Sequence, residues 1–172
     1  MQAVTSAVSI DQDRLANASR HPESEALANF AVGDCSPGSA SLLSRHVARC
    51  IACHRKLVQM GFPPADVAPA RHGPWFALAA GLDAREVVGA AGIGEALYVV
   101  RARAGARISL RAALPVEEIL VLDGSFAFET ETFVQNDFEV VTDTADFTVV
   151  GDLQVGFTAL VTTGQPDEDQ IM

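Results

Sequence analysis

His46-Val47-Ala48-Arg49-Cys50-Ile51-Ala52-Cys53 places one imidazole and two of the chain's three cysteines in one short run. An α-helix turns ~100° per residue, so positions 46, 50 and 53 fall within an arc of roughly 60°. Three soft or borderline ligands on one stripe suit a tetrahedral zinc site. The fourth ligand must come from elsewhere, and His21, His72, Cys35 and the adjacent His54 are the candidates. This run therefore reads the N-terminal half as a small helical unit held by metal.

The flanking sequence agrees with helices. Pro22 suits a first helical turn, Glu23 and Glu25 favour its positive end, and Leu27, Phe30 and Ala31 recur at helical spacing. Gly33-Asp34-Cys35-Ser36-Pro37-Gly38-Ser39 is dense in turn formers. Ser39 or Ser41 is expected to cap a second helix carrying Leu42, Leu43, His46, Val47 and Cys50. That helix continues or kinks into residues 51–60, and Gly61-Phe62-Pro63-Pro64 stops it.

Beyond residue 75 the periodicity changes. Short runs rich in Val, Leu, Phe and Thr predict strands at 96–102, 107–110, 117–122, 126–133, 138–141, 147–150 and 154–161. Asp123-Gly124 between two of them predicts a hairpin turn. Gly89 to Gly94 fits neither a dinucleotide fingerprint nor a phosphate loop, and reads as a lead-in to the first strand. The expected organisation is a polar arm at 1–20, a zinc-binding helical domain at 21–62, a linker at 63–75, a β-barrel at 76–163 and an acidic tail at 164–172. The fold class is α+β, helices first and an antiparallel barrel second.

Composition narrows the function classes. With 49% apolar and 20% charged residues, most of the 172-residue chain can fold around a core. A net charge of −10 argues against direct nucleic-acid binding through a basic surface. Three cysteines do not make a secreted disulfide framework, and no run reaches the ~20 apolar residues of a membrane span. A cytoplasmic protein with reduced thiols, no membrane contact and no direct nucleic acid contact is expected.

Four readings compete for Cys50 and Cys53. They could be a buried apolar pair, or a redox Cys-x-x-Cys, which normally opens a helix rather than follows one. Cys50-Ile51-Ala52-Cys53-His54 also satisfies the c-type haem attachment pattern, which leaves His46 unexplained. A structural zinc site uses all three residues.

On this last reading, His21, His46, Cys50 and Cys53 resemble the zinc-binding anti-sigma domain, in which an H-x3-C-x2-C helix and an upstream histidine hold one zinc. Helices followed by a β-rich half are similar to ChrR-type anti-sigma factors, which carry a cupin after the zinc domain. The resemblance covers about residues 20–163. It implies that His21, His46, Cys50 and Cys53 are the metal ligands, with Cys35 and His54 in reserve, and that the metal is one structural zinc. It also implies an extracytoplasmic-function sigma factor as partner, sequestered until a signal such as oxidation in a stress response releases it. Leu27, Phe30, Leu43, Val47, Leu57 and Met60 are candidates for the partner surface, shared with the bundle core.

The cupin motif is degenerate. Alignment on Gly105 places Arg111 and Ala113 at its two histidine positions, Glu117 at its carboxylate and Phe147 near its later histidine. No histidine follows His72, so no second metal and no metal-cupin catalysis are expected. The competing reading is a cupin-fold enzyme or small-ligand sensor with an appended zinc module.

Overall fold

The computed structural model describes residues 20–62, 70–90, 92–141 and 147–164. Most of the expected arm, residues 63–69 of the expected linker and nearly all of the acidic tail lie outside the described residues. Three helices come first: α1 (Ser24–Val32), α2 (Pro37–Arg49) and α3 (Ile51–Gln59). Gly33, at φ 77°, ends α1 by donating to the Phe30 carbonyl while Asp34 donates to that of Asn29. This is the left-handed cap that glycine adopts without a Cβ penalty.

Helix α2 starts earlier than expected, because Ser36 rather than Ser39 or Ser41 is its cap. The Ser36 hydroxyl accepts from the Ser39 amide at 3.1 Å, and Pro37 occupies the first turn, where no N–H is needed. Cys50 breaks the helix: its φ of −105° and ψ of 103° are extended, so α2 ends and α3 begins on either side of it. The run from His46 to Cys53 is therefore a corner between two helices, not one straight stripe.

The β half contains β1 (Arg71–His72), β2 (Phe76–Ala79), β3 (Leu82–Val88), β4 (Ala96–Ala102), β5 (Arg107–Ser109), β6 (Val116–Phe128), β7 (Glu131–Val134), β8 (Phe138–Val140), β9 (Thr148–Gly151) and β10 (Phe157–Thr163), with a single-turn helix α4 (Leu110–Ala113) after β5. The strand order is β1-β3-β4-β10-β6-β9-β5, with β2 on β3 and both β7 and β8 on β6. All pairs are antiparallel. The fold is thus α+β, a helical N-terminal part followed by an antiparallel sheet curled into a half-barrel.

Two local expectations are corrected. Asp123-Gly124 is not a hairpin turn; β6 runs through it. Gly124, at φ 71°, passes so close to Gly156 that a Cβ there would collide with the Gly156 carbonyl. The turn lies instead at Glu129-Thr130, with Glu129 at φ 52°, so the run 126–133 is the two strands of a hairpin. The strands also begin earlier than residue 96. β2 and β3 precede the Gly89–Gly94 stretch, and β1 falls inside the expected linker, paired with β3.

The half-barrel interior is aromatic. Phe126 stacks on Phe133 with centroids 4.8 Å apart and lies 4.9 Å from Phe157, while Phe147 meets Phe128 at 4.5 Å. The outer face of the sheet carries α2. Leu42 and Leu43 pack with Val87, Leu97, Val99, Leu120 and Leu160, joining the two halves through one apolar layer. Leu27, Val47 and Leu57 form a smaller core with Cys50 and Cys53.

Carboxylates from the sheet fasten the start of α2. Glu95 accepts from the Ser36 hydroxyl at 2.5 Å, the Gly38 amide at 2.9 Å and the Gly92 amide at 3.2 Å. Negative charge at a helix N-terminus meets the unpaired amides there. Glu118 accepts from Ser39 at 2.7 Å and Thr162 at 3.3 Å; burial raises its carboxyl pKa, against which these bonds act. Glu95→Ala is expected to lower unfolding free energy by about 1–2 kcal/mol, since it removes a cap and leaves amides unpaired. Urea denaturation of the full chain measures this, and an unchanged midpoint would show that the apolar layer alone holds α2.

Candidate metal centre

His21, His46, Cys50 and Cys53 converge. Their ligand atoms all lie within 4.8 Å of one another, and this is the one cluster of three or more such side chains among the described residues. His21 precedes α1, His46 lies in the last turn of α2, Cys50 forms the corner and Cys53 sits in the first turn of α3. The corner at Cys50 lets residues from two helix axes and an incoming segment meet at one point. Leu27, Val47 and Leu57 close the apolar side, while His21 alone of the four is exposed.

The four atoms are close enough together for one metal ion, and the His21 distances match tetrahedral spacing. His21 Nδ1 lies 3.3 Å from Cys50 Sγ and 3.4 Å from Cys53 Sγ. Ligands about 2.0–2.3 Å from a tetrahedral centre stand about 3.3–3.8 Å apart. His46 is fully buried, and its ring nitrogens are not equivalent. Nδ1 lies 2.9 Å from the Asn136 carbonyl, which can only accept, so Nδ1 carries the proton. Nε2 then presents a lone pair and has no hydrogen-bond partner. An orphaned buried acceptor beside two thiols and a second imidazole is what a metal would satisfy. Zinc bound there would hold both thiols as thiolates and add folding free energy to a small helical unit.

Burial dominates the protonation of the metal-free site. It pushes the His46 imidazole down to about 4, with His21 adding to the effect, and pushes the Cys53 thiol up to about 12, with Cys50 adding to that shift. The neutral histidine needs no deprotonation to bind metal, whereas a thiol must lose its proton.

The reserve ligands stand apart from the cluster. Cys35 is in the α1–α2 turn, where burial raises its thiol pKa; His54 is exposed, and His72 is on the short β1. Of the six candidate partner residues, Leu27, Val47 and Leu57 belong to the core around the thiols and Leu43 to the layer against the sheet. Phe30 is half-buried between those cores, and Met60 is 37% exposed. At the degenerate cupin positions, Arg111 and Glu117 are exposed, Ala113 is half-buried and Phe147 is buried among the barrel phenylalanines.

Arg20, Asn136 and Asp137 belong to the site and carry no sequence motif. The Asn136-Asp137 pair reads only as a turn signal, and nothing in a linear pattern connects it to a histidine ninety residues away.

No protein-family model and no curated protein matches the chain. Among solved structures, the chain is similar to one in the complex of Rhodobacter sphaeroides SigE with the anti-sigma ChrR. The TM-score is 0.64 at 18% identity, over 84% of this chain and 98% of that chain. Shorter likenesses are to KdgF from Halomonas sp., with TM-score 0.40 and 15% identity over 58% of this chain and 92% of that one. An RmlC-like cupin protein from Ralstonia eutropha gives TM-score 0.35 and 12% identity over 60% and 71%. The chain shares the ChrR-type two-part fold.

Metal analysis of the purified chain is expected to find about one zinc per molecule, and His46→Ala to find none. Zinc uptake should release protons from the thiols, so affinity falls with falling pH; calorimetry in buffers of different ionisation enthalpy counts them. In the metal-free chain the depressed His46 pKa favours the folded state above the ordinary value near 6.5. That contribution is lost as the pH falls from 6.5 towards 4, because the unfolded chain takes up the proton first. Urea unfolding across this window should show a steeper loss of stability for wild type than for His46→Leu. Equal slopes would contradict the burial argument.

Proposed function

We propose that the chain is an anti-sigma factor whose zinc-held helices sequester an extracytoplasmic-function sigma factor. The observation that carries the reading is the four-ligand cluster, set in a two-part fold shared with a structure that contains an anti-sigma factor on its sigma factor. In this reading the zinc is structural: a four-ligand site has no open position for catalysis. The sigma factor is held from polymerase until a signal arrives, and oxidation of Cys50 and Cys53 would remove two ligands and loosen the helices. The cell compartment is the cytoplasm. Among the described residues no helix is long and apolar enough to cross a membrane.

The partner surface is re-drawn on exposed residues. Ile51 and Val58, 68% and 50% exposed, lie seven residues apart and so on one face of α3. Met60 and the 42%-exposed Phe62 follow at its end. Apolar side chains on the open face of a short helix are suited to bury against a partner. The excess of acidic residues would speed encounter with a basic surface.

A non-catalytic β half is supported by its packing. Phe126, Phe133, Phe147 and Phe157 fill the barrel interior, and the exposed Arg111 and Glu117 and the buried Phe147 do not make a metal-cupin donor set. Scaffold or signal-receiving module is the role proposed for it.

Co-expression with the sigma factor encoded nearest its gene is expected to yield a stable complex that blocks transcription from that factor's promoter. An Ile51→Asp and Val58→Asp double variant should keep its zinc but bind at least about tenfold more weakly, as loss of two apolar anchors implies. A zinc-loaded, reduced chain that leaves sigma-dependent transcription untouched would refute the proposal.

A further inference from the structure

The turn between β7 and β8 reaches His46, and the residue preceding His21, from the opposite half of the molecule. Asn136, in the left-handed region at φ 73°, aims its carbonyl at His46 Nδ1. Asp137, only 1% exposed, accepts from the Arg20 backbone amide at 2.7 Å and the Val134 amide at 2.9 Å. Phe138 returns its own amide to the Arg20 carbonyl at 3.0 Å. The backbone immediately before His21 is thus held on both sides. The Arg20 side chain adds ion pairs to Glu131 at 2.6 Å and Glu139 at 2.8 Å, and lies over the Phe133 ring.

The turn is itself tied into the barrel. The Val121 amide donates to the Asp137 carbonyl at 3.0 Å, and the Asn136 amide to the Val121 carbonyl at 2.8 Å. Val121 is buried in the aromatic core of the half-barrel. A set of hydrogen bonds therefore runs from the barrel interior to the His46 imidazole and to the backbone of Arg20, next to His21. The two thiols, by contrast, sit at the α2–α3 corner and in the first turn of α3, within the helical core.

We propose that the β7–β8 turn is the outer shell of the metal site, with Asn136 and Asp137 as positioning residues, so that metal occupancy and the grip of the β half on the N-terminal segment are thermodynamically linked. The inference rests on the metal reading of the cluster and is independent of any sigma factor. Asn136 fixes the tautomer that leaves His46 Nε2 free, and Asp137 fixes the segment that presents His21. Outer-shell partners of this kind typically change metal affinity by about 10–100-fold when removed. Linkage makes the effect reciprocal: releasing the turn's own hydrogen bonds weakens the metal site, and metal loss loosens the turn. The β half can then act on the helices through the two histidines without holding a metal of its own.

Hydrogen exchange on the full chain tests this with and without zinc. Chelation is expected to raise exchange of the Val134 and Phe138 amides at least about tenfold, the lower end of an outer-shell contribution. In parallel, Asp137→Asn should transfer zinc to a chromogenic chelator about 10–100-fold faster than wild type. Val149→Ala, a buried deletion in β9, should melt earlier yet release zinc at the wild-type rate. Unchanged exchange at Val134 and Phe138 in a chain that does bind zinc would overturn the linkage while leaving the metal reading intact. Equal acceleration by Val149→Ala would reduce it to general instability and overturn it too. A chain that takes up no zinc would overturn both. If Asp137→Asn fails to fold, the exchange comparison on wild type decides alone.

Discussion

A fully buried imidazole with one nitrogen committed to a backbone carbonyl and the other without a partner is the constraint around which this molecule is arranged. Burying His46 neutral costs its hydration, and its Nδ1 hydrogen bond to Asn136 recovers only part of that. The remaining acceptor has no hydrogen-bond partner, and its ring stands in a cluster with His21 and the two thiols. A small three-helix unit with a core of five buried residues has little apolar area to hold such a group in place. The sheet supports α2 through Leu42, Leu43 and the carboxylates Glu95 and Glu118, and a metal held by the four side chains would add to that support.

The convergence of these four residues was legible because metal chemistry restricts residue type and spacing more tightly than packing does. Histidine and cysteine at 46, 50 and 53 have few uses in common, and the resemblance to a zinc anti-sigma domain supplied His21. Their geometry was less legible. A helical wheel aligns the three residues on one straight face, but the backbone at Cys50 leaves the helix and turns a corner. A wheel assumes continuity, and no residue in Arg49-Cys50-Ile51 has the composition of a helix breaker. The demand for a compact four-ligand centre is a tertiary condition that local propensity cannot express.

In the β half, strand content was readable and strand ends were not. The run from Phe126 to Phe133 contains no Gly, Pro, Asn or Asp, so no turn former marks the turn at Glu129-Thr130. Asp123-Gly124 carries the usual hairpin signal, yet its glycine serves close approach between β6 and the Gly156 backbone. One residue type answers both needs, and only the neighbouring strand distinguishes them. The apolar helix positions show the same limit. Periodicity groups Leu27, Leu43, Val47 and Leu57 with surface candidates, whereas three-dimensional packing assigns all four to the interior.

The division of labour between the halves follows from where each set of contacts originates. The aromatic filling of the barrel leaves the β half no histidine-lined interior, but its outer face is occupied: one end of α2 on Glu95, its middle on an apolar layer, and its last turn, at His46, on Asn136. A sheet that touches a helix at its start, middle and end acts as a template for that helix. The exposed side of α3, with Ile51 and Val58, faces away from those restraints and stays open. Changes in the sheet would therefore reach a partner through the geometry of the cluster at Cys50, where the templated helix and the open one meet.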